Sequence, residues 1–197
     1  MVVHPELIAV RQPPSAEESG FEDCQDLEAI RQRMHEIARH KAEQIRQLVN
    51  DEEADLFERP RTLIIAADTT VVVEGPNGRP LVLGQPPESE DWREVVRNWF
   101  LDHYAGKTHL AATAVYVVTP NGRSAQKIVE TRVRFRSDVS QWLNWYLLTG
   151  EPRGKAGGYA LQGAGSVFVE EVLGSSSNVV GLPLEALLEL FAEISLR

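Results

Sequence analysis

Apolar residues along this chain switch between two spacings, and the switches mark out its elements. From Leu27 to Val49, the residues Leu27, Ile30, Met34, Ile37, Ile45 and Leu48 recur at steps of three, four or their sums, which lays one stripe along a helix. Position 41 falls on the same stripe and holds Lys41. Either its stem lies on apolar surface with the ammonium in water, or it is a cation aimed into a cleft. Thr62 to Ala67 is a short, partly β-branched apolar run that predicts a buried strand, ending at Asp68-Thr69-Thr70 before Val71-Val72-Val73 resumes. Asn77-Gly78 is a hairpin signal, followed by a short strand at Leu81-Val82-Leu83 and a break at Gly84-Gln85-Pro86-Pro87.

Beyond that break, Trp92, Val95, Val96, Trp99 and Phe100 share one face of a helix expected over Glu88–Tyr104. His109 to Val118 is almost entirely apolar or small, as a strand covered on both faces requires. After the Pro120-Asn121-Gly122 turn the chain alternates strictly, with Val129, Thr131, Val133 and Phe135 facing one way and Glu130, Arg132, Arg134 and Arg136 the other. Alternation opposite a core puts these arginines on a solvated outer face, with a phosphate clamp as the less favoured alternative. A helix is expected over Asp138–Leu148, capped by Asp138 or Ser137, then a strand over Ser166–Leu173 and a helix over Leu184–Leu196. Strands interspersed with helices predict one α/β domain over residues 1–197, with an irregular segment at 1–25. Hairpins combined with strand–helix–strand passages predict a mixed sheet.

Composition narrows the setting more than the fold. A chain of 197 residues with 43% hydrophobic and 25% charged residues buries a core without staples. The single cysteine, Cys24, has no internal partner and fits a reducing compartment. No apolar run is long enough to span a bilayer and no signal peptide is visible, so a cytoplasmic location without membrane attachment is expected. A net charge of −9 disfavours DNA or RNA as partner. It leaves room for a nucleotide, which needs only a few local cations, backbone amides and a divalent metal.

Two segments are candidates for chemistry. Asp68, placed after a buried strand, is positioned to hold a divalent metal or to act as general base toward water, although an aspartate there serves equally as a structural cap. Thr149 to Gly165 mixes glycines with Lys155, Tyr159 and Gln162, which together offer close backbone approach, a charge, a stacking surface and an amide. That interleaving marks a binding loop. The five histidines, His4, His35, His40, His103 and His109, lack the spacing of a zinc site, and no Walker-type phosphate loop is present.

The order of motifs adds a resemblance. Ala67-Asp68-Thr69, Leu83-Gly84-Gln85-Pro86, Gly106-Lys107-Thr108-His109, Thr149-Gly150-Glu151-Pro152, Lys155-Ala156-Gly157-Gly158-Tyr159, Gln162-Gly163 and Ser177-Asn178-Val179-Val180-Gly181-Leu182-Pro183 follow one another as in the Maf family of nucleotide pyrophosphatases. The resemblance implies a Maf/inosine-triphosphatase-like fold, with a curved mixed sheet flanked by helices, two lobes with a cleft, and often a homodimer. It implies attack of water on the α-phosphate of a pyrimidine nucleoside triphosphate, with Mg2+ or Mn2+ and pyrophosphate as leaving group. Asp68 matches the catalytic, metal-binding aspartate. Lys41, Thr69, Lys155 and Gln162 fall to substrate binding, with Lys155 and Gln162 on a loop that closes over the nucleotide. The form of the 155–163 segment is similar to the dTTP/UTP-acting branch.

Three departures accompany it. The family's opening strand with Ser-x-Ser-Pro-Arg-Arg is missing, Ile8-Ala9-Val10 stands where an acidic pair is expected, and Gln85 replaces a lysine. Two expectations compete to explain them. In one, the natural protein begins about thirty residues further upstream, by comparison with the position of that motif in the family, and is active. In the other, it is an impaired homologue that binds nucleotide or a partner without turnover.

Overall fold

The structure, a computed structural model, describes residues 8–12, 20–52, 62–119 and 121–196. The turn residue Pro120, the charged stretch 53–61 with Pro60, and residues 1–7 and 13–19 of the expected irregular segment lie outside the described residues.

Helix α1 (Leu27–Glu52) begins where the Asp26 carboxylate accepts the amide hydrogen of Ala29 at 2.8 Å, satisfying one of the unpaired donors of the first turn. Its fully buried line is Ile30, Met34, Ala38 and Ala42. The two alanines escape an inspection of large apolar residues, yet they let the helix axis approach the sheet closely. Lys41 sits on the flank of this line, partly covered.

Five strands, β1 (Ile64–Glu74), β2 (Pro80–Leu83), β3 (Thr108–Val118), β4 (Ser124–Phe135) and β5 (Val169–Leu173), form one sheet in the order β2-β1-β3-β4-β5. The α/β class holds: helices flank the sheet. Every pairing among the described strands is antiparallel, however, where a mixed sheet was expected. The cause is topological. The chain passes from β2 to β3 through helix α2 (Trp92–Asn98) and a π-helical turn, Trp99–Tyr104, but β1 lies between those two strands and is antiparallel to both. A crossover between strands of the same direction therefore creates no parallel neighbours.

Side-chain alternation divides the molecule at β1 and β3. Even-numbered residues face α1, where Ile64, Val72, Ala112, Ala114, Tyr116 and Val118 pack with Ile30, Met34, Ala38 and Ala42. Odd-numbered residues face the other way, over two separate cores. Val71, Val73, Ala111, Val133 and Phe135 pack against α2, the π-helical turn and α3 (Ser140–Thr149). Val115, Val117 and Ala125 pack against Leu187, Leu190 and Ile194 of α5 (Leu184–Leu196). Between these cores the short helix α4 (Ser176–Val180) inserts Asn178.

The arginines of β4 are exposed, with Arg134 paired to Glu170 at 2.9 Å and Arg136 to Asp138 at 2.9 Å, as an outer solvated face requires. Asp138 is thereby engaged with Arg136, and no side chain caps α3. No helix among the described residues is long and apolar enough to cross a membrane.

Candidate active site

Asp68 does not follow a strand; it lies in the middle of one. β1 pairs with β3 without interruption from Ile64↔Val118 to Val72↔Leu110, with Asp68 opposite Ala114. Access comes from the other side. β2 pairs with β1 only from Val71 to Glu74, so the outer edge of β1 from Ile64 to Thr70 has no strand beside it among the described residues. The small side chain of Ala114 leaves room beside the carboxylate on the α1 face.

Lys41 reaches down from α1 to meet it. Its Nζ lies 2.7 Å from Asp68 Oδ1, with the two side chains 23% and 11% exposed. The cation on the apolar stripe of α1 is therefore aimed inward, at the carboxylate. A charge pair this close, largely withdrawn from water, places a cation and an acid side by side at a strand edge that no described strand covers.

Thr69, the next residue, points to the opposite face. Its Oγ1 lies 2.9 Å from Thr113 Oγ1 and donates to the Gly181 carbonyl at 3.3 Å. Thr113 donates to the Asn178 carbonyl at 3.2 Å, and Asn178 Nδ2 donates to the Ala111 carbonyl at 2.9 Å and to Thr131 Oγ1 at 3.0 Å. Thr113, Thr131 and Asn178 are fully buried, so this seam holds α4 against the sheet. Thr69 is spent on that seam, and the Ser177–Pro183 motif is its anchor.

The glycine-rich loop is held as firmly. At its neck the Glu151 carboxylate accepts amide hydrogens from Ala164 at 2.6 Å and Gly165 at 2.8 Å. At its floor Tyr104 Oη donates to the Gly157 carbonyl at 2.9 Å, and Tyr146 Oη donates to the Gly158 carbonyl at 3.0 Å. Gly157 adopts φ 68°, and a methyl group there would lie 2.7 Å from Val71 Cγ2, so only glycine fits this approach. Tyr159, expected to offer a stacking surface, is instead buried among Tyr104, His109 and Phe135, with its hydroxyl 2.9 Å from His109 Nε2. Burial lowers the His109 imidazole to about 3, so it is neutral at ordinary pH.

What this scaffold displays are Lys155 and Gln162, both exposed on either side of the anchored floor. Gly157 N–H donates to the Gly84 carbonyl at 2.9 Å, tying the loop to the turn that follows β2 and hence to the outer edge of β1. The structure thus brings Lys41 and Asp68 into contact, turns Thr69 away from them, and leaves Lys155 and Gln162 on the neighbouring loop without a hydrogen bond to either. Glu151, Tyr104, Tyr146 and His109 support this loop, a role that no spacing in the sequence announces. Their signal in the sequence is weak, because residues that meet only through tertiary packing share no spacing.

No group of three or more His, Cys, Asp or Glu that could hold a metal occurs among the described residues. A resident metal caged by protein ligands does not fit this donor set. A single carboxylate does fit a magnesium-type ion that arrives on a triphosphate, since such ions take one or two carboxylates and complete their shell with phosphate and water.

The five-stranded α/β scaffold thus carries a lysine–aspartate pair at an edge that no described strand covers, beside a hydrogen-bonded loop that shows a lysine and a glutamine. The chain belongs to the family described as Maf-like protein, whose pattern matches residues 6–194. It is similar to a dTTP/UTP pyrophosphatase of Brucella abortus (strain 2308), 44% identical over 131 residues, covering 66% of this chain and 58% of that protein. A dTTP/UTP pyrophosphatase of Pyrococcus horikoshii is 39% identical over 131 residues, covering 66% and 64%. One from Chelativorans sp. (strain BNC1) is 40% identical over 158 residues, covering 79% and 68%. The match thus spans 58% to 64% of the length of the first two of these relatives.

Proposed function

We propose that this protein hydrolyses dTTP or UTP to the nucleoside monophosphate and pyrophosphate, taking its substrate as a Mg2+ or Mn2+ chelate at the outer edge of β1. The observation that carries this reading is the Lys41–Asp68 contact of 2.7 Å beside an edge that no described strand covers. The relatives, named as dTTP/UTP pyrophosphatases, supply the substrate class.

Asp68 would hold the divalent ion that the triphosphate carries, and it takes a proton from the attacking water. The water oxygen forms a bond to the α-phosphorus as the bond from that phosphorus to the bridging oxygen of the β-phosphate breaks, and that electron pair leaves with pyrophosphate. Lys41 moves its ammonium from Asp68 onto the phosphate chain, where a point cation offsets charge. Lys155 and Gln162 contact the nucleotide from the loop, which is pre-formed at its floor rather than hinged there. Thr69 acts indirectly, by holding Gly181 and Thr113 behind the strand that carries Asp68. A cytoplasmic setting and a homodimer belong to the same reading.

The test is pyrophosphate release from a panel of triphosphates with Mg2+, measured for this chain and for a version extended upstream. Release from dTTP and UTP in preference to purine triphosphates is expected. Saturable binding of dTTP by both proteins with no release from either defeats the catalytic proposal and leaves a nucleotide-binding protein.

A further inference from the structure

Six polar side chains are buried among the described residues: Asp68, Thr70, His109, Thr113, Thr131 and Asn178. Five of them make at least one hydrogen bond, although His109 Nδ1 and Asn178 Oδ1 have no partner. Asp68 meets Lys41, His109 meets Tyr159, and Thr113, Thr131 and Asn178 bond within the seam. Thr70 is the exception: it is 3% exposed and its Oγ1, the only polar atom of its side chain, has no hydrogen-bond partner. A buried hydroxyl left without a partner opposes folding, and valine, of the same shape, would avoid that cost.

Its location supplies the reason. Residues two apart in a strand point to the same face, roughly 6.7 Å apart along it. Thr70 therefore lies on the α1 face beside Asp68, one strand position nearer the Val71↔Leu83 pair where β2 begins to cover the edge. An aspartate and a threonine at this separation meet when their side chains lean toward one another. Asp68 Oδ1 is turned to Lys41 in the structure.

We propose that Thr70 is a positioning residue that donates its hydroxyl hydrogen to the Asp68 carboxylate once Lys41 has been drawn onto the phosphate chain. The carboxylate then keeps a fixed orientation toward water in the step that removes its ammonium neighbour. The buried hydroxyl, which has no partner in the structure, gains one in this step. This inference rests on the proposed pyrophosphatase reading and assigns within it a residue that neither the motif order nor the spacing singles out.

The experiment compares Thr70→Val and Thr70→Ser with the parent protein, in steady-state release of pyrophosphate from dTTP with Mg2+ and in thermal unfolding without nucleotide. Thr70→Val should lower kcat about tenfold, the factor for one modest hydrogen bond, with KM within about twofold. Thr70→Ser should recover most of that loss. Without ligand, Thr70→Val should unfold at the same temperature or a few degrees higher, because no bond is lost. An unchanged kcat overturns the proposal, as does a rise in KM alone, which would place the hydroxyl on the substrate. A marked drop in unfolding temperature for Thr70→Val also overturns it, since the hydroxyl would then be bonded in the ligand-free fold. A parent protein that releases nothing defeats the pyrophosphatase reading itself and this inference with it, whereas an active parent with an unaffected valine variant defeats the inference alone.

Discussion

Asp68 and Thr69 are neighbours in the chain and inhabit opposite kinds of environment. Behind β1, Thr69 enters a seam in which hydroxyls, carbonyls and the Asn178 amide bond one another between two apolar cores. In front of β1, Asp68 and Lys41 face each other at a strand edge that no described strand covers from Ile64 to Thr70. The seam has spent its polar groups on structure. The edge keeps a charge pair that can change partners, and a hydroxyl with no bond at all. Bonded buried polarity holds the seam, whereas the charge pair and the unpartnered hydroxyl in front of β1 are the groups on which the proposed site rests.

Substitutions on the two faces should therefore fail in different ways. The largest effect is expected in front. Asp68→Asn removes the base while keeping the shape, and turnover should fall by about 10³-fold or more, with the unfolding temperature shifted by no more than a few degrees. A retained rate in a pyrophosphate-release assay would remove Asp68 from the chemistry. Behind, Asn178→Ala removes the amide bonds to Thr131 Oγ1 and the Ala111 carbonyl and opens a hole between the cores. Stability should drop by about 2–4 kcal/mol in urea titration, while the protein that remains folded keeps its KM.

His109 gives the comparison a pH axis. Its imidazole is lowered to about 3 by burial, below its ordinary value of 6.5, so the unfolded chain binds a proton more readily than the folded one. The stabilisation is complete above pH 6.5 and is lost as pH falls from there toward 3, with a slope of at most about 1.4 kcal/mol per pH unit. His109→Gln, which keeps a hydrogen-bonding group near Tyr159, should flatten that part of the curve in denaturant titrations at pH 4 to 7. An identical slope in the variant would assign the acid sensitivity to other groups. The smallest effect belongs to the exposed display. Lys155→Ala should raise KM for dTTP about three- to tenfold with little change in kcat or stability, as expected for a solvated cation on a pre-formed loop.

Much of the site can be read from residue order, but its geometry cannot. The α1 stripe, the buried β3 run and the alternation of β4 give their elements directly, because helix and strand periods are local properties of the backbone. Lys41 stands out as an anomaly on its stripe, yet only packing shows that it points at Asp68. Asp68-Thr69-Thr70 looks like the end of a strand, since polar residues usually leave a buried sheet. It is in fact strand interior, made tolerable by Lys41 on one face and by Thr113 and Gly181 on the other. Tyr159 carries the same chemistry whether it stacks on a base or fills a core, and the choice is made by His109 and Phe135, which come from other strands.

The sequence by itself determined the α/β class, most of the elements and the family, because these rest on local periodicity and on ordered motifs. Tertiary structure alone decided that the described sheet is antiparallel throughout, that no described strand covers the edge of β1 where Asp68 lies, and that adjacent residues serve opposite faces. The physical reason is that a strand sends alternate side chains to different surroundings, and those surroundings are assembled from segments distant in the chain.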